Sequence, residues 1–204
     1  MKTTTCFTAL APLALLAGCA TPAYVSPVEV TRFTAPQPSS IARGPIAVRA
    51  APGQAADSWD YAAFEAAVAE ELRQAGYTVT GDSAAQVAEI RVQRMVASGD
   101  PGRSRSPVGV GVGGSTGSYG SGVGAGVGID LSSLINGRPA DKIDTQLQVT
   151  IRPAGAVDAV WEGRARFTAT SNSDFADQRA AAGKLADALF DGFPGRSGET
   201  IEVR

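Results

Sequence analysis

Three stretches of this 204-residue chain alternate apolar and polar residues with a period of two, and that spacing limits the fold more than any other feature. In "VAEIRVQRMV", Ala88, Ile90, Val92 and Val96 alternate with Glu89, Arg91, Gln93 and Met95. In "TQLQVTIR", Leu147, Val149 and Ile151 share one side, and in "AVWEGRARFTA", Trp161, Ala165 and Phe167 oppose Glu162, Arg164 and Arg166. Successive strand side chains point to opposite faces, so each segment reads as a strand with one dry and one wet face. The turn "PAGAVD" joins the second and third as an antiparallel pair. Shorter strands are expected at Val28 to Phe33, Ile46 to Arg49 and "TIEV" near the C-terminus.

A different period marks the helices. "DSWDYAAFEAAVAEELRQAG" places Tyr61, Phe64, Val68, Leu72 and Ala75 at spacings of three and four, with Asp57 or Ser58 as N-cap and Gly76 as the stop. Glu70 and Arg73 fall on its outer face as a solvated ion pair. A second helix, roughly Ser173 to Asp191, turns Phe175, Ala182, Ala186, Leu189 and then Phe193 inward, and "FPGRSG" ends it. The expected class is α+β: a mostly antiparallel sheet with two helices packed on one face and a glycine-rich hairpin or loop insertion.

At the N-terminus, Met1 and Lys2 precede an apolar run, Cys6 to Leu16, that is long enough for an export signal and too short to span a bilayer. The Leu16-Ala17-Gly18-Cys19 that follows resembles the lipobox of bacterial lipoproteins. The resemblance implies cleavage before Cys19 and a thioether from its sulfur to diacylglycerol. The expected layout is a signal peptide at 1–18, a lipidated tether at 19–27 and one periplasmic domain at 28–204, with the membrane as a partner through Cys19. Two or three acyl chains suffice for stable anchoring. Ala20, in place of an aspartate, implies by analogy with enteric lipoproteins sorting to the outer membrane. Cys6 leaves with the signal, so the mature chain has no free cysteine pair and its fold rests on the core.

Composition excludes several function classes. The 18 basic and 20 acidic residues are spread without blocks, which leaves no footprint for nucleic acid. Histidine is absent, removing the commonest metal ligand and the usual neutral-pH acid or base. Neither a cofactor nor a metal is expected. Gly109, Gly111 and Gly114 satisfy GxGxxG, but no helix pattern follows, and "GRSG" at 195–198 lacks the rest of a nucleophile elbow. Asp141 with Asp144, and Asp174 with Asp177, read as loop and cap residues, so catalytic residues are expected to be none.

The order of "YAAFEAAVAEELRQAGYTVT", an "AEIRVQR" strand, a glycine-rich middle, "VWEGRA" and a closing "FPGRSGETIEV" resembles domain-of-unknown-function family four-one-three-six. That group of small envelope lipoproteins implies an α+β fold and no catalytic residue to carry over. Tyr77 and Trp161 read as packing residues beside turns.

The densest concentration of the chain's 24 glycines lies at 107–131. There Val108, Val110 and Val112 alternate with glycines, as do Val123, Ala125, Val127 and Ile129 after a "STGSYGS" turn that carries Tyr119. This reads either as two glycine-faced strands or as a low-complexity loop. Val108, Val110, Val112, Tyr119, Val123 and Val127 form a candidate docking segment for an envelope protein or a second copy. The expected function is a membrane-anchored, non-catalytic binding or assembly module of the envelope. The alternatives are a carrier or sensor of a lipid-like ligand and, further off, a carboxylate-based envelope hydrolase.

Overall fold

The computed structural model describes residues 21–36, 41–57, 59–81, 83–98, 109–113, 124–128 and 139–204. Its elements follow in chain order: β1 (Val28–Thr34), β2 (Pro45–Ala50), α1 (Trp59–Gln74), β3 (Thr78–Thr80), β4 (Gln86–Ala97), β5 (Gly109–Gly113), β6 (Gly124–Gly128), β7 (Lys142–Pro153), β8 (Trp161–Thr170), α2 (Gln178–Phe190) and β9 (Thr200–Val203). All the strands but β5 and β6 form one seven-stranded sheet in the order β3-β2-β4-β7-β8-β1-β9. The β4–β7, β7–β8, β8–β1 and β1–β9 pairs are antiparallel, while β2 runs parallel to both β3 and β4. The expected α+β class holds.

Register turns the period-two pattern into two faces. Ile90 lies opposite Val149, Val149 opposite Gly163 and Gly163 opposite Arg32, so one row crosses four strands. Ile90, Leu147, Val149, Ile151, Trp161, Ala165 and Phe167 are buried beneath the helices. Each contributes about 1.5–3 kcal/mol if it is a large apolar side chain fully withdrawn from water. The other face is polar, tied by Glu29 to Arg166 at 2.8 Å, Glu162 to Arg164 at 3.5 Å, and Glu89 to Arg152.

α1 buries Tyr61, Phe64, Val68 and Leu72, and its Arg73 meets Glu70 at 3.1 Å on the wet side. The second helix starts later than the sequence pattern suggests. Asp174–Ala176 form a single 3-10 turn, and Asp177, extended at φ −67°, ψ 138°, accepts a hydrogen bond from the Ala180 amide as the N-cap of α2. Ala182, Ala186 and Leu189 are buried as expected, and Phe175 and Phe193 are half-buried.

The two helices run in the same direction, because Ala62 and Ala63 lie beside Asp177–Arg179 and Glu71 lies beside Asp187. Both therefore start at one end of the sheet, called the top, where β4 and β8 finish and β7 begins. Pairing at the top reaches back before β1: Val25 bridges Ala169, and Ser26 donates to the Thr168 carbonyl at 2.9 Å. The Tyr24 amide donates to Thr170 Oγ1 at 2.9 Å. The chain is thus fixed to the sheet from Tyr24, within what the sequence suggests is tether.

β5 and β6 belong to a separate unit, which includes residues 104–138. They form a two-stranded antiparallel hairpin with Val110 opposite Val127 and Val112 opposite Ala125. Gly109, Gly111 and Gly113 pair with Gly128, Gly126 and Gly124.

Candidate functional site

The chemistry-bearing residues of the main unit gather at its two ends. At the bottom, "VWEGRA" and "FPGRSG" close on each other. Trp161, on the dry face of β8, lies over Gly163, where an added Cβ would come within 2.8 Å of both the indole Cζ2 and Leu189 Cδ1. Its indole N–H donates to the Pro194 carbonyl at 2.9 Å. The ring centroid stands 5.5 Å from Phe190 and 5.1 Å from Phe193, and Phe193 meets Tyr77 edge-on at 6.1 Å.

Arg32 completes this knot. Parity places it on the same face as Val28 and Val30, and it is 6% exposed. Its Nε donates to the Leu189 carbonyl and its Nη2 to the Ala188 carbonyl, both at 2.9 Å. These are final carbonyls of α2, which no helical amide can satisfy and where a cation is favoured. Gly195, at φ +75°, is required here, since a Cβ would lie 2.7 Å from Arg32 Cδ. The Arg32 carbonyl in turn accepts from the Gly198 amide at 2.8 Å. Trp161, Arg32 and the terminal loop are therefore fold-holding parts, in line with the packing role read for Trp161 and Tyr77.

Beside the knot, Arg43, Glu71, Gln74, Gly76, Asp187, Asp191 and Phe193 line an open groove of about 470 Å³. Burial holds the Glu71 carboxyl above the usual carboxylate range, and Asp187 and Glu70 push the same way. Burial also raises the Tyr77 phenol, against the opposing charge of Arg43. A second, less polar groove of about 670 Å³ runs between the helices, lined by Ala62, Ala63, Ala66, Ala67 and Gly183, with Asp177, Gln178 and Arg179 at its top.

Of the four carboxylates paired in the sequence, those of Asp144 and Asp177 accept local hydrogen bonds. Asp144 accepts from Thr168 Oγ1 at 3.1 Å, and the Asp141 carbonyl accepts from the Ser171 amide at 2.8 Å. The backbone amides of α2, Ala180 first, hold Asp177 below the usual carboxylate range. Among the described residues no three His, Cys, Asp or Glu side chains are grouped as a metal site would need. No described helix is long and apolar enough to cross a membrane.

At the top, two segments of interest meet the sheet. Ala97 pairs with Lys142, Lys142 pairs with Thr170, and Thr170 is hydrogen-bonded to Tyr24. The glycine-rich insertion leaves after β4 and returns to β7 in this row, and the N-terminal segment joins the sheet in the same row. Of the expected site residues, Val110, Val112 and Val127 lie in the hairpin, with Val110 and Val127 opposite each other. Cys19, Val108, Tyr119 and Val123 lie outside the described residues. Sequence reasoning missed Arg32, although Val28, Val30 and Arg32 share a parity, and it missed both grooves, which are made by segments distant in sequence.

No family model matches the chain. Over 65 residues it is 40% identical to an uncharacterized protein of Zymomonas mobilis subsp. mobilis, a match that covers 32% of this chain and 24% of that relative. The chain thus matches about a quarter of that curated relative's length. Among solved structures, a PelC dodecamer from Paraburkholderia phytofirmans superposes with TM-score 0.43 and 14% identity, over 83% of this chain and 99% of that one. A PDZ domain protein from Parabacteroides distasonis gives TM-score 0.48 and 9% identity over 88% of this chain and 38% of that one.

Proposed function

We propose that the chain is a lipid-anchored envelope module, held through Cys19 to the outer membrane and facing the periplasm, that works by docking to a partner and not by chemistry. The observation that carries this reading is the shared row at the top of the sheet, Ala97–Lys142–Thr170 with Tyr24 bound to its end. Neighbouring strands lie about 4.8 Å apart, so the N-terminal segment and the glycine-rich insertion meet the sheet within about 15 Å of each other. An anchor at Cys19 thus holds the point from which the insertion departs. The hairpin pairs Val110 with Val127 and Val112 with Ala125, with glycine opposite glycine between them, and a two-stranded ribbon of this kind suits docking by strand addition. Its partner is an envelope protein or a second copy of the chain.

The test uses two variants of the full chain in cells: Cys19→Ser, and replacement of residues 107–131 by a short Gly-Ser loop. The first is expected to abolish fatty-acid incorporation and membrane retention. The second is expected to keep both, and to lose the crosslinks that the parent makes. Acylation surviving Cys19→Ser refutes the anchor, and crosslinks surviving the loop replacement refute the docking segment.

A second reading, carriage of a lipid-like ligand, draws its support from the alanine-lined groove between α1 and α2. Saturable uptake of a fluorescent fatty acid, lost in Ala63→Glu, would favour it over docking.

A further inference from the structure

We infer that the top rim of the sheet is a membrane-contacting surface, with Tyr24, Met95 and Val96 seated in the interfacial layer of a lipid bilayer. The inference rests on the anchor proposed above and adds to it the face that meets the lipid. Five large hydrophobic side chains are conspicuously exposed among the described residues, and these three, at 53%, 66% and 64% exposed, all lie at the top. Phe33 and Val157, the other two, lie at the bottom, near the end of β1 and in the β7–β8 turn.

The rows fix their positions. Val96 pairs with Ile143, Ile143 with Ala169, and Ala169 is bridged to Val25, the neighbour of Tyr24. Met95 is one residue earlier on the opposite face of β4. Two positions before Val96, Arg94 reaches the Ala176 carbonyl in the turn before α2, and beyond that level the dry side of β4 is uncovered. The alternation that buries Ile90 therefore leaves Val96 apolar and wet.

The covalent distance to the anchor is short. Cys19 precedes Thr21 by two residues, a span of at most about 7 Å, and Tyr24 by five, at most about 18 Å. Because Tyr24 and Val25 are already bound to β8, little slack remains, and acyl chains on Cys19 hold this end against the headgroups. Tyrosine suits that layer, with its ring in the acyl boundary and its hydroxyl among the headgroups. Lys142, Arg94 and Arg179 at this end stand against Asp141, Asp144, Asp174 and Asp177, with Asp144 opposite Met95, so the contact is carried by the apolar side chains and does not need anionic lipid.

The test uses acylated full-length protein in phosphatidylcholine vesicles, carrying Met95→Cys, Val96→Cys or Val157→Cys labelled with an environment-sensitive fluorophore. In the acylated chain the Cys19 thiol is consumed and Cys6 is cleaved away, so the introduced thiol alone reacts. All three positions are exposed, which leaves the core intact. At 95 and 96 the emission is expected to shift to the blue and to lose most of its intensity when the acyl chains are brominated, with neither change at 157. Vesicle-bound, acylated protein in which none of the three is quenched, or all are quenched alike, overturns the contact while the anchor stands. A blue shift without quenching by brominated lipid means that protein covers the rim, and overturns it too. Failure of acylation and of vesicle binding removes the anchor, and the contact with it.

Discussion

Replacing Gly163 with alanine adds one methyl group at the most tightly closed point of the fold. The new Cβ would stand 2.8 Å from Leu189 Cδ1 and 2.8 Å from Trp161 Cζ2, and closer still to the indole Cη2. Real contacts at such distances do not persist, so the indole must tilt away from β8. Trp161 is 1% exposed and packed on Phe190 and Phe193, and it has no empty space to enter without displacing α2 or the terminal loop. Overpacking of this kind costs about 1–3 kcal/mol, and a strained indole-to-Pro194 hydrogen bond adds about 1 kcal/mol. For a domain of this size that is a fall in Tm of roughly 5–15 °C, read by circular dichroism on the full chain. Trp161→Phe alone also destabilises, by losing that hydrogen bond and leaving a cavity. The double variant Gly163→Ala, Trp161→Phe should be better than the sum of the two by about 1–2 kcal/mol, because the smaller ring removes the clash. A Tm for Gly163→Ala within about 1 °C of the parent, or strictly additive costs in the double variant, would refute the reasoning.

Arg32→Met keeps the stem and removes the guanidinium from the Ala188 and Leu189 carbonyls, and should cost about 2–3 kcal/mol in urea unfolding while speeding amide exchange in the Asp191–Gly195 loop. Glu71→Gln should stabilise the chain relative to the parent at pH 7 and not at pH 4. The native Glu71 carboxyl titrates above the ordinary value of 4.5, so the folded state holds its proton more tightly, and stability is lost as pH rises through that native value; a Tm difference independent of pH would contradict this. Asp177→Ala should lower Tm slightly at neutral pH and less in acid. The depressed Asp177 carboxyl stabilises the fold above its ordinary value, and that contribution fades as pH falls through the native one.

Much of this architecture was legible in the spacing of side chains. The faces of β4, β7 and β8 and the buried stripe of α1 follow directly from periods of two and of three to four. Spacing assigns a side chain to a face, however, and not to a neighbour. Nothing in "PIAVRA" says that it pairs in parallel between β3 and β4, because that placement depends on segments far along the chain. Nor does spacing say what covers a face. Val96 fits the pattern of Ile90 and is nevertheless 64% exposed, although Ile143 and Ala169 in the same row are buried. Arg32 is the reverse case, a charged residue at a dry position, accepted there only because the open end of α2 lies above it.

The position of β1 has a consequence for how the chain is made. Val28–Thr34 is the first strand in the sequence, yet it lies between β8 and β9, with Val30 opposite Ala165 on one side and Ile201 on the other. Its hydrogen-bonding partners are the last strands to be synthesised, and contacts of such sequence separation form late and slowly. Among the described strands, Val28–Thr34 therefore has no sheet neighbour until residues 161–203 have been made.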